Sequence, residues 1–349
     1  QLKAGALLSY LYIFITILIA LIYTPIMLRL LGQSEYGLYS LIGSVTAYLS
    51  ILDLGLGNAV IRYTAKNRAL GDKAAEYRLN GMFLVLYSII GIVTAIIGAI
   101  LYINIENIFG ASLTAQELVK AKIMMLLVIF NFAVSFPLSV FGSILQAYER
   151  FVFVKLLAIV RSIINPCIVL PLLLMGHGSV AMVAVNTIVS ISILLVNVIY
   201  CFRVLHTKFY FKGFDLVLLS EIAGYSFFIF LNVIVDKIYW NTGQFILGIV
   251  SGTVLVAIYA LAMQINSMYI MFSTAINGVL LPRVTMMVTN HASNDELSHM
   301  MIRIGRIQYV IMAYILSGFI LFGEAFINLW AGSNYGEASN SGHTGNNSS

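Results

Sequence analysis

The sequence predicts an all-α polytopic membrane protein built as a two-lobed helical bundle, on the basis of its composition, its uncharged stretches and an internal repeat. The chain is 60% hydrophobic and 9% charged, and its mean hydropathy is +0.96. Stretches of 41 and 45 residues, between Arg161 and Arg203 and between Lys237 and Arg283, contain no Asp, Glu, Lys or Arg. Each stretch can hold two membrane crossings of about 20 residues. This composition excludes a water-soluble domain.

Charged loops and glycine or proline breaks divide the apolar sequence into nine predicted transmembrane helices. The first apolar run begins at Ala4 and extends for about 25 residues, which exceeds the apolar region of a signal peptide. We therefore interpret it as a retained span. The nine predicted helices cover residues 4–29, 36–61, 80–102, 121–147, 153–175, 179–201, 222–249, 253–282 and 307–330.

The distribution of basic residues predicts a cytoplasmic N-terminus. With this orientation, 15 of the 19 lysines and arginines lie in inside loops or at the adjoining helix ends, as the positive-inside rule requires. Arg29, Lys120 and Lys122 lie outside, and Lys237 lies deep within a span. The basic excess is thus explained by membrane topology, and no nucleic-acid partner is predicted.

An internal repeat emerges when the sequence is compared with itself at an offset of 220 residues. The same offset places predicted helices one to three on helices seven to nine. Six helices separate the copies, so both enter the membrane in the same direction and form a parallel repeat. Three identities align after the first helix of each copy: Gly32 with Gly252, Tyr39 with Tyr259, and Leu41 with Leu261.

The repeat predicts how the chain is divided. Two complete six-helix lobes at this offset need about 440 residues, whereas the sequence has 349. We therefore expect a truncated or altered chain with about nine of twelve helices. The predicted regions are an N-terminal six-helix lobe (1–202), a cytoplasmic linker (203–221), a partial C-terminal lobe (222–331) and a polar low-complexity tail (332–349).

Two blocks of sequence resemble a known family. The block 24–73 contains Pro25, Gly32 and Tyr39 followed by Asp53 and Arg62, and it resembles the first two helices of Wzx-type O-antigen and polysaccharide flippases. The block 230–262 is similar to their helices seven and eight. These flippases belong to the multidrug/oligosaccharidyl-lipid/polysaccharide exporter (MOP) superfamily. The resemblance implies a MATE-like fold of two lobes whose central cavity opens alternately to either side of the membrane.

The resemblance also implies a function and partners. Such a flippase moves undecaprenyl-diphosphate-linked oligosaccharide from the cytoplasmic to the periplasmic leaflet of the bacterial inner membrane. Its partners would be this lipid-linked oligosaccharide, the membrane lipid and the polysaccharide polymerase machinery. Neither a cofactor nor a catalytic residue is expected. The two cysteines lie in separate apolar helices and the five histidines lack ligand spacing, so no metal site is predicted.

The seventh predicted helix carries the strongest candidate substrate-binding residues. Lys237, Trp240, Asn241 and Gln244 recur at i, i+3, i+4 and i+7, which places them on one helical face. The lysine would meet the substrate's phosphates, while the indole and the amides would contact sugars. A charge-neutralising pair with Asp236, or a lysine that extends its amine towards the interface, is the alternative interpretation.

Three arginines are further candidates. Arg161, on the cytoplasmic half of the fifth predicted helix, is a second phosphate ligand or an ordinary positive-inside anchor. Arg62 and Arg283 lie at the cytoplasmic ends of the two repeated helices. They would either frame an entrance or serve as anchors attracted to anionic lipid.

Asp53 and Asp236 are candidate sites for the coupling ion. If the second helix runs to about Ile61, Asp53 is a carboxylate on the inner wall of the first lobe, and Gly55 and Gly57 allow a neighbouring helix to approach. If that helix stops near Leu52, Asp53 is an interfacial residue where the helix ends. We expect the inner wall.

Other functions remain open at this point. A drug or cation antiporter of the same architecture would favour acidic and aromatic groups over a cationic cavity. A lipid II flippase would differ only in its substrate. A membrane-embedded polysaccharide enzyme would be expected to carry a large external loop or an acidic metal motif.

Overall fold

The computed structural model describes residues 2–212, 216–290, 292–332 and 335, and its regular secondary structure within these residues is helical. Eight of its segments are long and apolar enough to cross a membrane, and the chain is a multi-pass membrane protein. The helices are α1 (Leu2–Leu49), α2 (Leu56–Ala69), α3 (Lys73–Ile103), α4 (Ile105–Phe109), α5 (Ala115–Ala147), α6 (Phe151–Leu174), α7 (Ser179–Arg203), α8 (Leu216–Val250), α9 (Thr253–Thr289) and α10 (Asn294–Trp330).

The first two predicted spans are joined without a loop. Helix α1 continues from Leu2 to Leu49, but Gly32 inside it has φ 73° and ψ 174°, which no helix contains. This conformation is inexpensive only for glycine. The first membrane-crossing candidate, Leu11–Ala69, is 59 residues long and includes both predicted spans, separated by the break at Gly32.

The second predicted span ends earlier than residue 61. After Leu49 the chain forms a 3-10 turn, Ser50–Asp53, and then reverses through Leu54 (φ 54°) and Gly55 (φ 69°). Two successive residues in the left-handed region cannot continue an α-helix. Residues 56–69 therefore form a separate helix, α2, which the hydropathy pattern did not predict.

Three helices begin before their predicted starts because polar residues cap them. Asp72 accepts a hydrogen bond from the Ala75 backbone N–H at 2.9 Å, so α3 starts at Lys73 rather than at residue 80. Capping boxes at Thr114 and Ser293 likewise start α5 and α10. Such caps satisfy backbone N–H groups that have no partner inside the helix.

The described chain divides by its contacts into two compact units, Gln1–Ala257 and Ile258–Ser349. The first unit contains α1 to α8 and the start of α9. Its most extensive helix pairs are α3 with α5, α5 with α7, and α1 with α6. The lobe boundaries predicted at residues 202 and 222 stay a prediction, and most of the predicted tail (332–349) lies outside the described residues.

The first unit has two apolar cores. One forms around α2, α3 and α5 and includes Phe83, Tyr87 and Ile144. The other lies where the second half of α1 packs on α5, and includes Leu41 and Met124. Between membrane helices this packing stabilises through van der Waals contact, because lipid is as apolar as the side chains, and leucine, isoleucine and phenylalanine side chains remain exposed on the outer surface.

The second unit pairs the rest of α9 with α10. The Tyr269 hydroxyl donates to the Met312 carbonyl at 3.4 Å, and the Gln308 amide donates to the Ser273 hydroxyl at 2.5 Å. Such hydrogen bonds between helices contribute about 0.6 kcal/mol each in membrane proteins. They fix the register of the two helices within this unit.

Candidate functional site

Several polar residues of α8, including Lys237, lie on or beside the face that packs against other helices of the first unit. Ile222 and Ser226 are buried, and Gly248 is buried near the other end of the helix. Lys237 lies 11 residues from both Ser226 and Gly248, close to three turns of 3.6 residues, so it shares their face. Its side chain is half-buried.

Two contacts bracket Lys237 along α8. A Cβ on Gly55 would lie 2.6 Å from the Ile229 Cγ2 atom, so α8 touches the turn after α1 at this level. Thr242 shares a hydrogen bond of 2.8 Å with the Tyr48 hydroxyl on α1. Lys237 therefore lies about 12 Å along the axis from the first contact and about 7.5 Å from the second.

The other predicted α8 residues are placed around this lysine. Trp240, Asn241 and Gln244 are all half-buried on or beside the same face. The Trp240 ring meets the Tyr239 ring edge-on, with centroids 5.2 Å apart, and the Asn241 amide donates to the Lys237 carbonyl at 3.1 Å. The face combines one cation, an indole and two amides inside an otherwise apolar helix.

The Asp236 carboxylate does not neutralise Lys237 within the described part of the chain. There, the ion pairs join Glu35 to Lys120 and Glu106 to Lys122. Asp236 is exposed on the adjoining face of α8. The interpretation as a local charge pair requires an ion pair between Asp236 and Lys237, and the structure does not show one between these two residues.

Asp53 is half-buried in the first unit, and the helix before it ends early. The Tyr87 hydroxyl, on α3, donates to the Asp53 carboxylate at 3.0 Å, and Tyr87 itself is 1% exposed. The turn carrying Asp53 also contacts α8. The early helix end agrees with one of the two alternatives, whereas the buried partner agrees with the inner-wall location. A role in ion coupling stays a prediction.

Arg161 and Arg62 make no described contact with Lys237, Trp240, Asn241 or Gln244. Arg161 is exposed on α6 and makes no hydrogen bond or ion pair with any described residue. The Arg62 guanidinium lies 4.7 Å from the ring centroid of Tyr225 on α8, and 5.6 Å from that of Tyr63. Arg62 thus links α2 to α8 through a cation–π contact. The Arg283 side chain lies outside the described residues.

A polar connection between α1, α6 and α7 escaped the sequence reasoning. Asn165 hydrogen-bonds to Asn186, whose amide donates to the Tyr39 hydroxyl at 3.1 Å. Asn165 follows Arg161 by four residues, one helical turn. The available signal was the isolation of each asparagine within an apolar run, because an amide in hydrocarbon needs a partner.

Comparison with known sequences identifies the family. The sequence model described as "Polysaccharide biosynthesis protein" matches residues 2–288 of this chain. The chain belongs to the polysaccharide biosynthesis protein family. A search of characterised protein sequences found no significant match.

Solved structures show the same fold as this family member. An inward-facing multidrug resistance MATE family transporter of the MOP superfamily superposes with a TM-score of 0.71 at 16% identity, covering 91% of this chain and 74% of the transporter. An outward-facing structure of such a transporter gives 0.57 at 17% identity, covering 98% and 78%. The MATE-like, all-α fold predicted from the sequence is therefore confirmed.

Proposed function

We propose that this protein is a flippase that translocates an undecaprenyl-diphosphate-linked oligosaccharide across the bacterial inner membrane. Membership of the polysaccharide biosynthesis family and the fold of MOP transporters support a role in transport rather than catalysis. The observation that carries the substrate assignment is the half-buried α8 face with Lys237, Trp240, Asn241 and Gln244. Translocation of a lipid breaks no covalent bond, so this activity requires no catalytic carboxylate, serine or histidine.

The chemistry of this face suits the polar part of such a lipid. A diphosphate crossing hydrocarbon needs a cation, because an unpaired charge there costs at least about 2.5 kcal/mol. Lys237 supplies a compact positive charge that is not paired to Asp236. The indole of Trp240 offers a ring on which a sugar can stack, and the two amides can exchange hydrogen bonds with hydroxyls.

The remaining predicted residues take supporting roles. Arg161 is a second phosphate ligand at the cytoplasmic side, and Arg62 and Arg283 frame the entrance or anchor it to anionic lipid. Asp53 and Asp236 are the candidates for the coupling ion. The N-terminus is cytoplasmic, as the distribution of basic residues predicts. The partners are the lipid-linked oligosaccharide, the surrounding lipid and the polysaccharide polymerase machinery.

A drug or cation antiporter is the second candidate function. The solved relatives are described as multidrug resistance transporters, and the Asp53 carboxylate inside the first unit resembles the acidic group that cation exchange needs. The unpaired cation of Lys237 argues against a cationic drug, because like charges in a low-dielectric cavity repel. A lipid II flippase would use the same chemistry on a different glycan.

Reconstitution separates these functions. The purified protein is placed in proteoliposomes that contain a fluorescently labelled undecaprenyl-diphosphate oligosaccharide in one leaflet, and translocation is followed by quenching. We expect transport of this lipid and none of a cationic dye. Dye transport without lipid transport would establish the antiporter, and transport of lipid II alone would reassign the glycan.

A further inference from the structure

The two glycines matched by the internal repeat both have a positive φ. Gly32 has φ 73° and breaks α1, and Gly252 has φ 79° and separates α8 from α9. A hydroxyl residue follows each glycine closely, at Ser34 in the first copy and Thr253 in the second. Each break therefore starts a new helical segment with a hydroxyl in its first turn.

Both hydroxyls converge on one carboxylate. Ser34 Oγ and Thr253 Oγ1 donate to the same oxygen of Glu117, Oε1, at 2.6 and 2.7 Å. The other oxygen, Oε2, accepts from the backbone N–H and the hydroxyl of Thr114 at 2.8 and 2.7 Å. Glu117 thus accepts hydrogen bonds at the N-terminal ends of three helical segments, two of which are distant from it in sequence.

The chain also approaches closely at this point. A Cβ on Gly37 would lie 1.8 Å from the Thr253 carbonyl oxygen, and one on Gly252 would lie 2.8 Å from the Ser112 carbonyl oxygen. Ser112 Oγ donates to the Gly248 carbonyl at 2.5 Å. The α8–α9 turn is therefore seated directly on the backbone of α1 and of the segment before α5, with no side chain between.

A neighbouring carboxylate forms a different kind of tie. Glu35 accepts hydrogen bonds from the backbone N–H and hydroxyl of Ser179 at 2.8 and 2.5 Å, and it pairs with Lys120. Ser179 is 0% exposed. Separation of α1 from α7 would remove both Ser179 donors from the Glu35 carboxylate, and separation of α1 from α5 would remove its Lys120 cation, so these contacts are suited to hold the three helices together permanently.

The contacts of Glu117 to Ser34 and Thr253 can open at much lower cost. When they separate, Oε2 keeps both bonds from Thr114, so the carboxylate retains partners on its own helix. Ser34 is exposed, and its hydroxyl can bond to water instead. Thr253 is 5% exposed in this arrangement, and its hydroxyl reaches water only when the turn itself lifts. An open arrangement in which each of these groups keeps a partner is therefore available, as a two-state element requires.

We propose that Glu117 is a latch that holds the α8–α9 turn against α1 and α5 in one state of the transport cycle and releases it in the other. On the predicted orientation, with Lys120 and Lys122 outside, the latch closes the external side. The need for release rests on the proposed transport function. The contact itself does not, and it is tested separately.

The first test joins the two hydroxyl positions. Ser34→Cys and Thr253→Cys are combined in a chain whose Cys167 and Cys201 are replaced by alanine. Both hydroxyls contact one oxygen, so the introduced sulfurs start within about 5 Å of each other and we expect oxidation to form a disulfide. Lipid translocation should then fall at least about tenfold and return on reduction. Unchanged transport by the cross-linked protein, or failure of the disulfide to form, would overturn the latch.

The second test needs no transport substrate. Val256 is 0% exposed on the first turns of α9, so Val256→Cys should react with a membrane-impermeant maleimide only when the turn lifts. We expect Glu117→Gln to accelerate labelling about tenfold. The matched control is Glu296→Gln, because Glu296 makes the same capping box with Ser293 and no described bond to another helix. Equal labelling in both variants would disprove the latch even if lipid transport were established.

Discussion

The Tyr87 hydroxyl donates a hydrogen bond of 3.0 Å to the Asp53 carboxylate, joining the middle of α3 to the turn that ends α1. Tyr87 is almost fully buried, and Asp53 lies just before the reversal at Leu54 and Gly55. This bond therefore fixes a carboxylate at the point where the chain changes direction inside the first unit.

Removal of this hydrogen bond should destabilise the protein. Tyr87→Phe leaves the ring in place but deprives Asp53 of its side-chain donor, leaving the Gly55 backbone N–H as its remaining described donor, and a hydrogen bond to a charged group contributes about 1.5 to 3 kcal/mol. We expect a lower midpoint of thermal unfolding in detergent. Tyr210→Phe is the control, since the Tyr210 ring packs on Tyr77 and its hydroxyl has no described hydrogen bond. An equal loss in both variants would contradict the assigned role of the Asp53 bond.

Substitutions of Lys237 should distinguish the effect of its positive charge on transport from its effect on folding. Lys237→Arg keeps the cation and should retain part of the lipid translocation, whereas Lys237→Gln should lower it at least about tenfold. Asp236→Asn, one position away on the exposed face, leaves the Lys237 cation in place and should therefore retain binding of the anionic lipid, with translocation lowered only if Asp236 binds the coupling ion.

Membrane abundance is measured for each of these variants, so that misfolding is not mistaken for lost binding. The decisive variant combines Asp236→Asn with Lys237→Gln. If it exports polysaccharide normally, Lys237 does not bind the phosphates, and the role of Asp236 and Lys237 is structural.

A methyl group at Gly55 should disrupt the contact between the α1–α2 turn and α8. Gly55→Ala adds a Cβ only 2.6 Å from Ile229 at a backbone φ of +69°, so both strain and overlap oppose it. Gly71→Ala has a similar φ of +72° with nothing within 4 Å. It should cost only the backbone strain, about 1 to 2 kcal/mol.

The difference in stability between these two glycine variants measures the cost of the steric overlap with Ile229, which we expect to be about 1 to 3 kcal/mol. Thermal unfolding of both purified variants provides the measurement. Shortening the opposing side chain by Ile229→Ala in the Gly55→Ala background should recover part of the loss. Equal stability of the two glycine variants would mean that α8 does not press on this turn.

Tyr148 should stabilise the loop between α5 and α6 without pH dependence in the physiological range. Its ring stacks under the Arg68 guanidinium at 3.9 Å, and its hydroxyl donates to Glu76 at 2.5 Å. Burial, and then the adjacent Glu76 carboxylate, raise the pKa of Tyr148 above its ordinary value. A raised pKa means that this stabilisation is complete below the unfolded pKa of about 10 and is lost only at higher pH.

Tyr148→Phe keeps the ring on Arg68 but removes the hydrogen bond to Glu76. We expect a loss of about 1 to 2 kcal/mol that is the same at pH 6 and pH 8. The measurement is thermal unfolding at both values. A loss that disappears at either pH would show that another titrating group controls this contact.

Local composition was sufficient to predict the membrane fold. The free energy of inserting a span is summed over about 20 neighbouring side chains, so hydropathy identifies α5 to α9 without knowledge of their partners. The same reasoning placed Gly32 and Gly252 at breaks, where both have positive φ. Hydropathy missed the first turns of α5 and α10 because charged residues were excluded from the predicted spans. The segments Thr114 to Glu117 and Ser293 to Glu296 are nevertheless local capping signals.

Tertiary structure decided where polar groups find partners and where α1 ends. Glu117 meets Ser34 and Thr253 across 83 and 136 residues of sequence, and Glu35 meets Ser179 across 144. No local pattern specifies such pairs, because the cost of a lone polar group in hydrocarbon says only that a partner is needed. Likewise, Gly55 ends the α1 segment where α8 approaches, and only the packed bundle brings that helix there.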